Sequence, residues 1–141
     1  MNENQIGRHI VECAIEVHRN LSGPSLLETA YEQALVWELK QRDLSVKRQV
    51  ELPIRYKDQT LRSPLRIDMI AGSKAIIDCK AVMTYSSILE VQILTYLRLT
   101  SLKLGMIINF VERRVKDSIH QVVDLFIKTH SLRLSAFALS F

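Results

Sequence analysis

Two cysteines, four glycines, three prolines and one tryptophan are all that this 141-residue chain holds of those residue types. Cys13 and Cys79 are too few for a disulfide framework, and both fall in predicted apolar elements, where they are expected as reduced, buried thiols. The glycines are scattered, which leaves no loop able to cradle phosphates. His9, His18, His120 and His130 show no ligand spacing with either cysteine, so a zinc site is not expected. No apolar run approaches the ~20 residues that cross a bilayer, and the opening Met-Asn-Glu-Asn-Gln lacks the basic and apolar regions of a secretory signal. The expectation is a cytoplasmic protein without a membrane partner. No internal repeat, low-complexity tract or linker is visible.

What the chain does contain is 48% apolar and 24% charged residues, a globular balance, at a length that suits one domain. The net charge of +4 is unevenly spread. Residues 1–39 carry six acids and two bases, whereas 40–80 carry ten Lys or Arg against five acids. A basic region beside carboxylates suits a polyanionic ligand, although a solvated strand face explains the same charges.

Periodicity gives the order of elements. Residues 4–20 place Ile6, Ile10, Val11, Cys13, Ala14 and Val17 at helical spacing, and Leu21-Ser22-Gly23-Pro24 ends that helix. A second helix is expected from Ser25 to Arg42. Residues 45–56 alternate as a strand, Lys57-Asp58-Gln59 turns, and a return strand covers 60–70, with Pro64 suggesting an edge position or a bulge. A third strand covers 74–81. A third helix runs from Ser87, where Ser87-x-x-Glu90 reads as a capping box, to Leu102, with Ile88, Val91, Ile93, Leu94, Leu97 and Leu99 apolar. Leu104–Phe110 is a continuous apolar strand, central in the sheet, and a last helix is expected over 115–129. The tail, 132–141, alternates weakly, as a strand or a frayed end. The order ααβββαβα predicts an α/β fold, with a sheet covered by helices on both faces.

The chemistry concentrates in residues 68–80, Asp-Met-Ile-Ala-Gly-Ser-Lys-Ala-Ile-Ile-Asp-Cys-Lys. Gly72-Ser73 is a natural hairpin turn, and folding there sets Asp68 close to opposite Asp78. Asp78 and Lys80 project to one face of their strand. Two facing carboxylates repel unless a hard cation such as Mg²⁺, which keeps several waters, sits between them. A lysine beside them can hold water or offset charge on a phosphate. Glu28, near the start of the second helix, and Gln92 and Tyr96, four apart on the third, could join them. Taken singly, each has a plainer role: an exposed ion pair for Asp78-x-Lys80, turn amides for Asp68, a first-turn acid for Glu28. Asn109 would bond the turn that ends its strand, and Trp37 would belong to the core or to a dimer contact.

Gly23-Pro24-x-Leu26-Leu27-Glu28-x-x-Tyr31, Arg66-x-Asp68, Asp78-x-Lys80-Ala81, Glu90-x-Gln92-x-x-x-Tyr96-Leu97 and Gly105-Met-Ile-Ile-Asn109-Phe110 occur in this order. Together they resemble the GxxExxY proteins, a small branch of the PD-(D/E)xK nucleases. The resemblance departs at Ser25, where the signature's first glycine would stand, and at Asp78, where close relatives carry Glu. It implies one domain over 1–141 with a restriction-endonuclease-like α/β core at about 5–127 and a tail, 128–141, without a counterpart. It further implies metal ligation by Asp68, Asp78, the main-chain carbonyl of Cys79 and Glu28, with Lys80 catalytic and Gln92 and Tyr96 in support. The activity implied is Mg²⁺-dependent hydrolysis of DNA, with Mn²⁺ as substitute. Among the basic residues, Arg66, Lys47, Arg48 and Arg62 are the candidates for nucleic-acid contact. The other reading is a silent nuclease fold that binds nucleic acid or a protein. A chain without a targeting domain suggests a homodimer or a larger complex.

Overall fold

The computed structural model describes residues 1–21, 28–62 and 64–124. Helix α1, Glu3–Leu21, buries Ile6, Ile10, Cys13, Ala14 and Val17, the stripe expected from helical spacing. Its start is fixed by a reciprocal pair: Gln5 N donates to Asn2 Oδ1 and Asn2 N donates to Gln5 Oε1, both at 2.9 Å. Helix α2, Glu28–Gln41, turns Tyr31, Leu35, Val36 and Leu39 inward. It closes on Asp43, which adopts φ 61°, with Asp43 N donating to Lys40 O and Leu44 N to Leu39 O. That pair of bonds is the Schellman closure, and the buried Leu44 supplies its apolar contact. Trp37 lies on the outer side of α2 and is 60% exposed, so it is not core.

Five strands form the sheet: β1, Val46–Leu52; β4, Leu65–Ala71; β5, Ala75–Lys80; β6, Leu104–Asn109; and β7, Ile119–Val123. They lie in the order β1-β4-β5-β6-β7, with β5 and β6 parallel and the other neighbours antiparallel. Strands β2, Arg55–Tyr56, and β3, Gln59–Thr60, pair separately as a short ribbon between β1 and β4. Helix α3, Ile88–Thr100, crosses over from β5 to β6. Helices α1 and α2 pack on one face of the sheet against Met69, Ala71, Ile77, Cys79, Met106 and Ile108. Helix α3 packs on the other through Ile93, Tyr96 and Leu97 against Ile67, Ile76 and Ile107. The sheet is therefore covered on both faces, as expected. Gly105 makes close packing possible, because a Cβ there would stand 2.3 Å from Ile93 Cγ2. No helix among the described residues is long and apolar enough to cross a membrane.

The structure departs from the sequence expectations in four places. The predicted last helix is instead a single 3-10 turn, Val115–Ser118, followed by β7. The helical spacing of Val115, Ile119 and Val122 is overridden because the buried β6 has a second backbone edge, which β7 satisfies. Positions 125–129 of that helix, the tail, and Ser25 all lie outside the described residues. The predicted 45–56 strand ends at Leu52, and the following residues leave the sheet for the ribbon. The return strand starts only at Leu65, so Pro64 precedes a strand that is internal, between β1 and β5, and there is no edge or bulge to attribute to it. Finally, Ser87 does not cap α3 with its side chain. Glu90 accepts instead from the Tyr85 hydroxyl at 2.9 Å. The sheet needs only one stripe of α3, so Ile88, Val91 and Leu99 stay exposed despite their apolar character.

Candidate active site

The hairpin between β4 and β5 turns through Gly72 and Ser73, which have φ of 60° and 57°, with Lys74 N donating to Ala71 O. Left-handed conformation at both central residues marks a type I′ turn, which fixes register between the strands. The ladder runs from Ala71↔Ala75 to Met69↔Ile77 and stops there. One further step sets Asp68 opposite Asp78, where the two strands part. On the other side of β4 the pairs Arg48↔Met69 and Val50↔Ile67 flank Gln49 and Asp68 without pairing them. Asp68 thus stands at a gap in both ladders.

That gap has a visible cause in β1. Gln49 adopts φ 50°, a conformation rare for a residue with a Cβ. It is held by the buried carboxylate of Glu32 on α2. Glu32 Oε1 accepts from Gln49 Nε2 at 3.2 Å and from Arg48 Nε and Nη2 at 3.3 and 3.2 Å. Strand faces change across this point: Val46 packs toward α1 and α2, whereas Val50 and Leu52 pack toward α3. In β4, Met69 and Ala71 face the first pair of helices, whereas Leu65 and Ile67 face α3. No sequence signal announces the change, because Gln49 is neither glycine nor asparagine.

Asp78 and Lys80 lie on the α3 face, with Lys80 Nζ 3.5 Å from Asp78 Oδ2. Asp68, Asp78, Lys80, Gln92 and Tyr96 all line one cleft between the sheet and α3, and Arg66 is at its wall. Gln92 Nε2 donates to the Tyr96 hydroxyl at 2.9 Å, which fixes both side chains. Glu28 does not line this cleft, but it opens α2, and among the charges acting on Lys80 its effect ranks after Asp78 and ahead of Asp68. Cys79 turns its thiol to the α1 and α2 face, and burial raises that thiol well above its ordinary range. Of the proposed nucleic-acid contacts, only Arg66 lines the cleft. Arg48 is engaged with Glu32, and Lys47 pairs opposite Ile70, toward the hairpin end of the sheet. Arg62 follows the ribbon.

Electrostatics single out the carboxylates. Burial, then the hydrogen bond and charge of Asp68, push Asp78 up to about 8, with Lys80 opposing. Asp78 therefore keeps a proton near neutrality, because a buried carboxyl beside a second carboxylate does not ionise easily. Burial acts to lower Lys80, but the charges of Asp78, Glu28 and Asp68 outweigh it and hold the ammonium above its usual range. Lys80 is thus a fixed positive charge and a hydrogen-bond donor. Burial also raises Tyr96, with Asp78 and Asp68 adding to it, so its phenol stays protonated.

Sequence reasoning missed three supports. The Glu32, Arg48 and Gln49 cluster is one. The second is the two-way grip of Asn109, whose Nδ2 donates to Val82 O at 2.9 Å while its Oδ1 accepts from Val82 N at 3.1 Å. This grip ties the chain just beyond Lys80 to the end of β6, and the expected turn bond to Val111 N is present as well. The third is Tyr85 stacked on His120, with ring centroids 3.7 Å apart.

The strands and the helix that form this cleft lie within a stretch of chain that a family profile matches. The profile of the PD-(D/E)XK nuclease superfamily covers residues 4–122. The chain belongs to this superfamily. Its five-stranded mixed sheet between helices is the fold expected of a PD-(D/E)XK protein. No curated protein and no solved structure matches the chain significantly.

A divalent cation fits the donor set of this cleft. Among the described residues no three His, Cys, Asp or Glu side chains form a ready-made cage. The two carboxylates instead meet at a gap in the sheet, with a proton held on Asp78, and a cation can take that proton's place. Two carboxylates completed by water are what Mg²⁺ accepts.

Proposed function

We propose that the protein is a divalent-metal-dependent nuclease acting on phosphodiester bonds of DNA. The observation that supports this most is the Asp68 and Asp78 pair, set at a gap in the sheet with Lys80 Nζ 3.5 Å from Asp78 Oδ2. Asp68, Asp78 and the main-chain carbonyl of Cys79 would hold the metal, with Glu28 reaching it through water. When bound, Mg²⁺ or Mn²⁺ supplies Lewis acidity toward the phosphate and lowers the pKa of a water. Lys80, held as an ammonium, orients that water and offsets charge growing on the phosphate oxygens. Gln92 and Tyr96, fixed on each other, present an amide and a phenol to the wall of the same cleft. Arg66 gives a phosphate contact at its edge. Its pairing with exposed Glu51 at 3.4 Å is weak enough to exchange for a phosphate.

The test is incubation of the purified protein with single-stranded, duplex and branched DNA in Mg²⁺, Mn²⁺ or EDTA. Cleavage is expected with either metal and not with EDTA. Lys80→Ala should keep metal binding, read by the metal-dependent rise in melting temperature. It should lose on the order of 100-fold or more in rate, because its role lies in the transition state. No cleavage of any substrate by the wild-type protein, or Lys80→Ala cleaving at the wild-type rate, would overturn the assignment.

A further inference from the structure

The ribbon of β2 and β3 is the part of the described chain that the cleft chemistry does not use. It leaves the sheet after Leu52, whose partner Leu65 is next to Arg66 in β4. That is the Lys80 end of the sheet, not the end where the hairpin turns at Gly72. Tyr56 lies four residues beyond Leu52, so extended chain sets it at most ~14 Å from the end of β1. Between Pro53 and Arg62 the chain carries Arg55, Lys57 and Arg62 against Asp58 alone, and all four are exposed. The ribbon gathers its basic residues around an exposed aromatic ring. Arg19, Arg42, Arg48, Arg66, Lys80, Arg98 and Arg114 each face a carboxylate, whereas Arg55, Lys57 and Arg62 enter no ion pair among the described residues. Tyr56 is 60% exposed, and the only ring contact it makes there is a cation–π contact with Lys57, whose Nζ lies 5.4 Å from the centroid. Leu61 N donates to Ile54 O at 2.8 Å, closing the ribbon, so the ring, Arg55 and Lys57 are carried on fixed backbone, with Arg62 next to the closure.

We infer that the β2–β3 ribbon is an arm that holds single-stranded nucleic acid beside the cleft, with a base stacked on Tyr56 and phosphates on Arg55, Lys57 and Arg62. The inference rests on the nuclease reading for the nature of the ligand. An exposed aromatic ring among unpaired cations is the combination that grips a strand without reading its sequence, since every base has a π-face. A duplex keeps those faces stacked inside. A ribbon of two residues per strand is also too short to fill a major groove. A strand on Tyr56 would lie within a few nucleotides of Asp68 and Asp78, which makes an unpaired end or flap the substrate the arm delivers.

The experiment is fluorescence anisotropy of a labelled 12-nucleotide strand, and of the same strand in duplex, with EDTA present so that nothing is cut. Wild type should bind the single strand more tightly. Tyr56→Ala should lose about 10-fold on the single strand and little on the duplex, while Tyr56→Phe keeps the affinity. Arg55→Ala with Lys57→Ala should flatten the salt dependence on the single strand, by ~0.7 in logarithmic slope for each phosphate that is no longer neutralised. Tyr56 is exposed, so these variants should melt like the wild type. Equal single-strand affinity in Tyr56→Ala, equal losses on both forms, or no binding by the wild type would overturn the arm. Tyr56-dependent binding without metal-dependent cleavage would support the arm and overturn the nuclease reading, whereas cleavage with unchanged Tyr56→Ala binding would do the reverse.

Discussion

Apo stability should fall as pH rises from about 5 to 8, and Asp68→Asn should flatten that fall. Asp78 stands at about 8 in the folded protein against 3.8 as an ordinary carboxyl. Its folded value lies above its unfolded one, so the folded state keeps a proton that the unfolded chain has released across this window. The stabilisation from that proton is complete below 3.8 and is lost as pH rises through about 8. A difference of roughly 4 units corresponds to on the order of 5 kcal/mol, at about 1.4 kcal/mol per pH unit within the window. This is large beside a total stability of roughly 5–15 kcal/mol, and it amounts to a drop in melting temperature of the order of 10–20 °C. Burial is the first cause of the shift, and the hydrogen bond and charge of Asp68 come next. Asp68→Asn removes the charge and offers an amide donor to the ionised Asp78, so the slope should shrink without vanishing. A cation requires both carboxylates ionised, so stabilisation by Mg²⁺ or Mn²⁺ should grow over the same pH range. At 100-fold excess over Kd it reaches about 2.7 kcal/mol. The assay is thermal melting in EDTA, Mg²⁺ and Mn²⁺ at several pH values, for wild type and Asp68→Asn. A flat apo profile would refute the proton held on Asp78. Metal stabilisation that survives in Asp68→Asn would refute the two-carboxylate site.

Two further outcomes test the frame around the site. Gln49→Gly should melt at or above the wild-type temperature, because relief of the left-handed backbone offsets the missing bond to Glu32, whereas Gln49→Val should cost more than about 1 kcal/mol in denaturant titration. Equal stability of the two variants would mean that the conformation of Gln49 is not what parts the strands at Asp68. Gly105→Ala should destabilise by roughly 2–3 kcal/mol, since its Cβ would meet Ile93 Cγ2 at 2.3 Å, and the paired Ile93→Ala should recover part of the loss. A Gly105→Ala protein as stable as the wild type would refute close packing of α3 on β6.

By itself the sequence determined several relations that depend on local geometry. Helical spacing placed the buried face of α1, and the Gly72-Ser73 turn set the register that opposes Asp68 to Asp78. Strand alternation put Asp78 and Lys80 on one side, and the four-residue step joined Gln92 to Tyr96. Each of these is a relation between residues a few positions apart, fixed by the period of the element that carries them. Tertiary structure alone decided the rest. Residues 119–123 became a strand because β6 needed a partner, against their helical spacing. The apolar Ile88, Val91 and Leu99 of α3 stayed in water because one stripe suffices to cover the sheet. The protonation of Asp78 follows from burial and from a neighbour that only folding supplies. The gap at Asp68 depends on Glu32 reaching Arg48 and Gln49 from another element, 16 and 17 residues away. Contacts between elements set these features, and no local period encodes which elements meet.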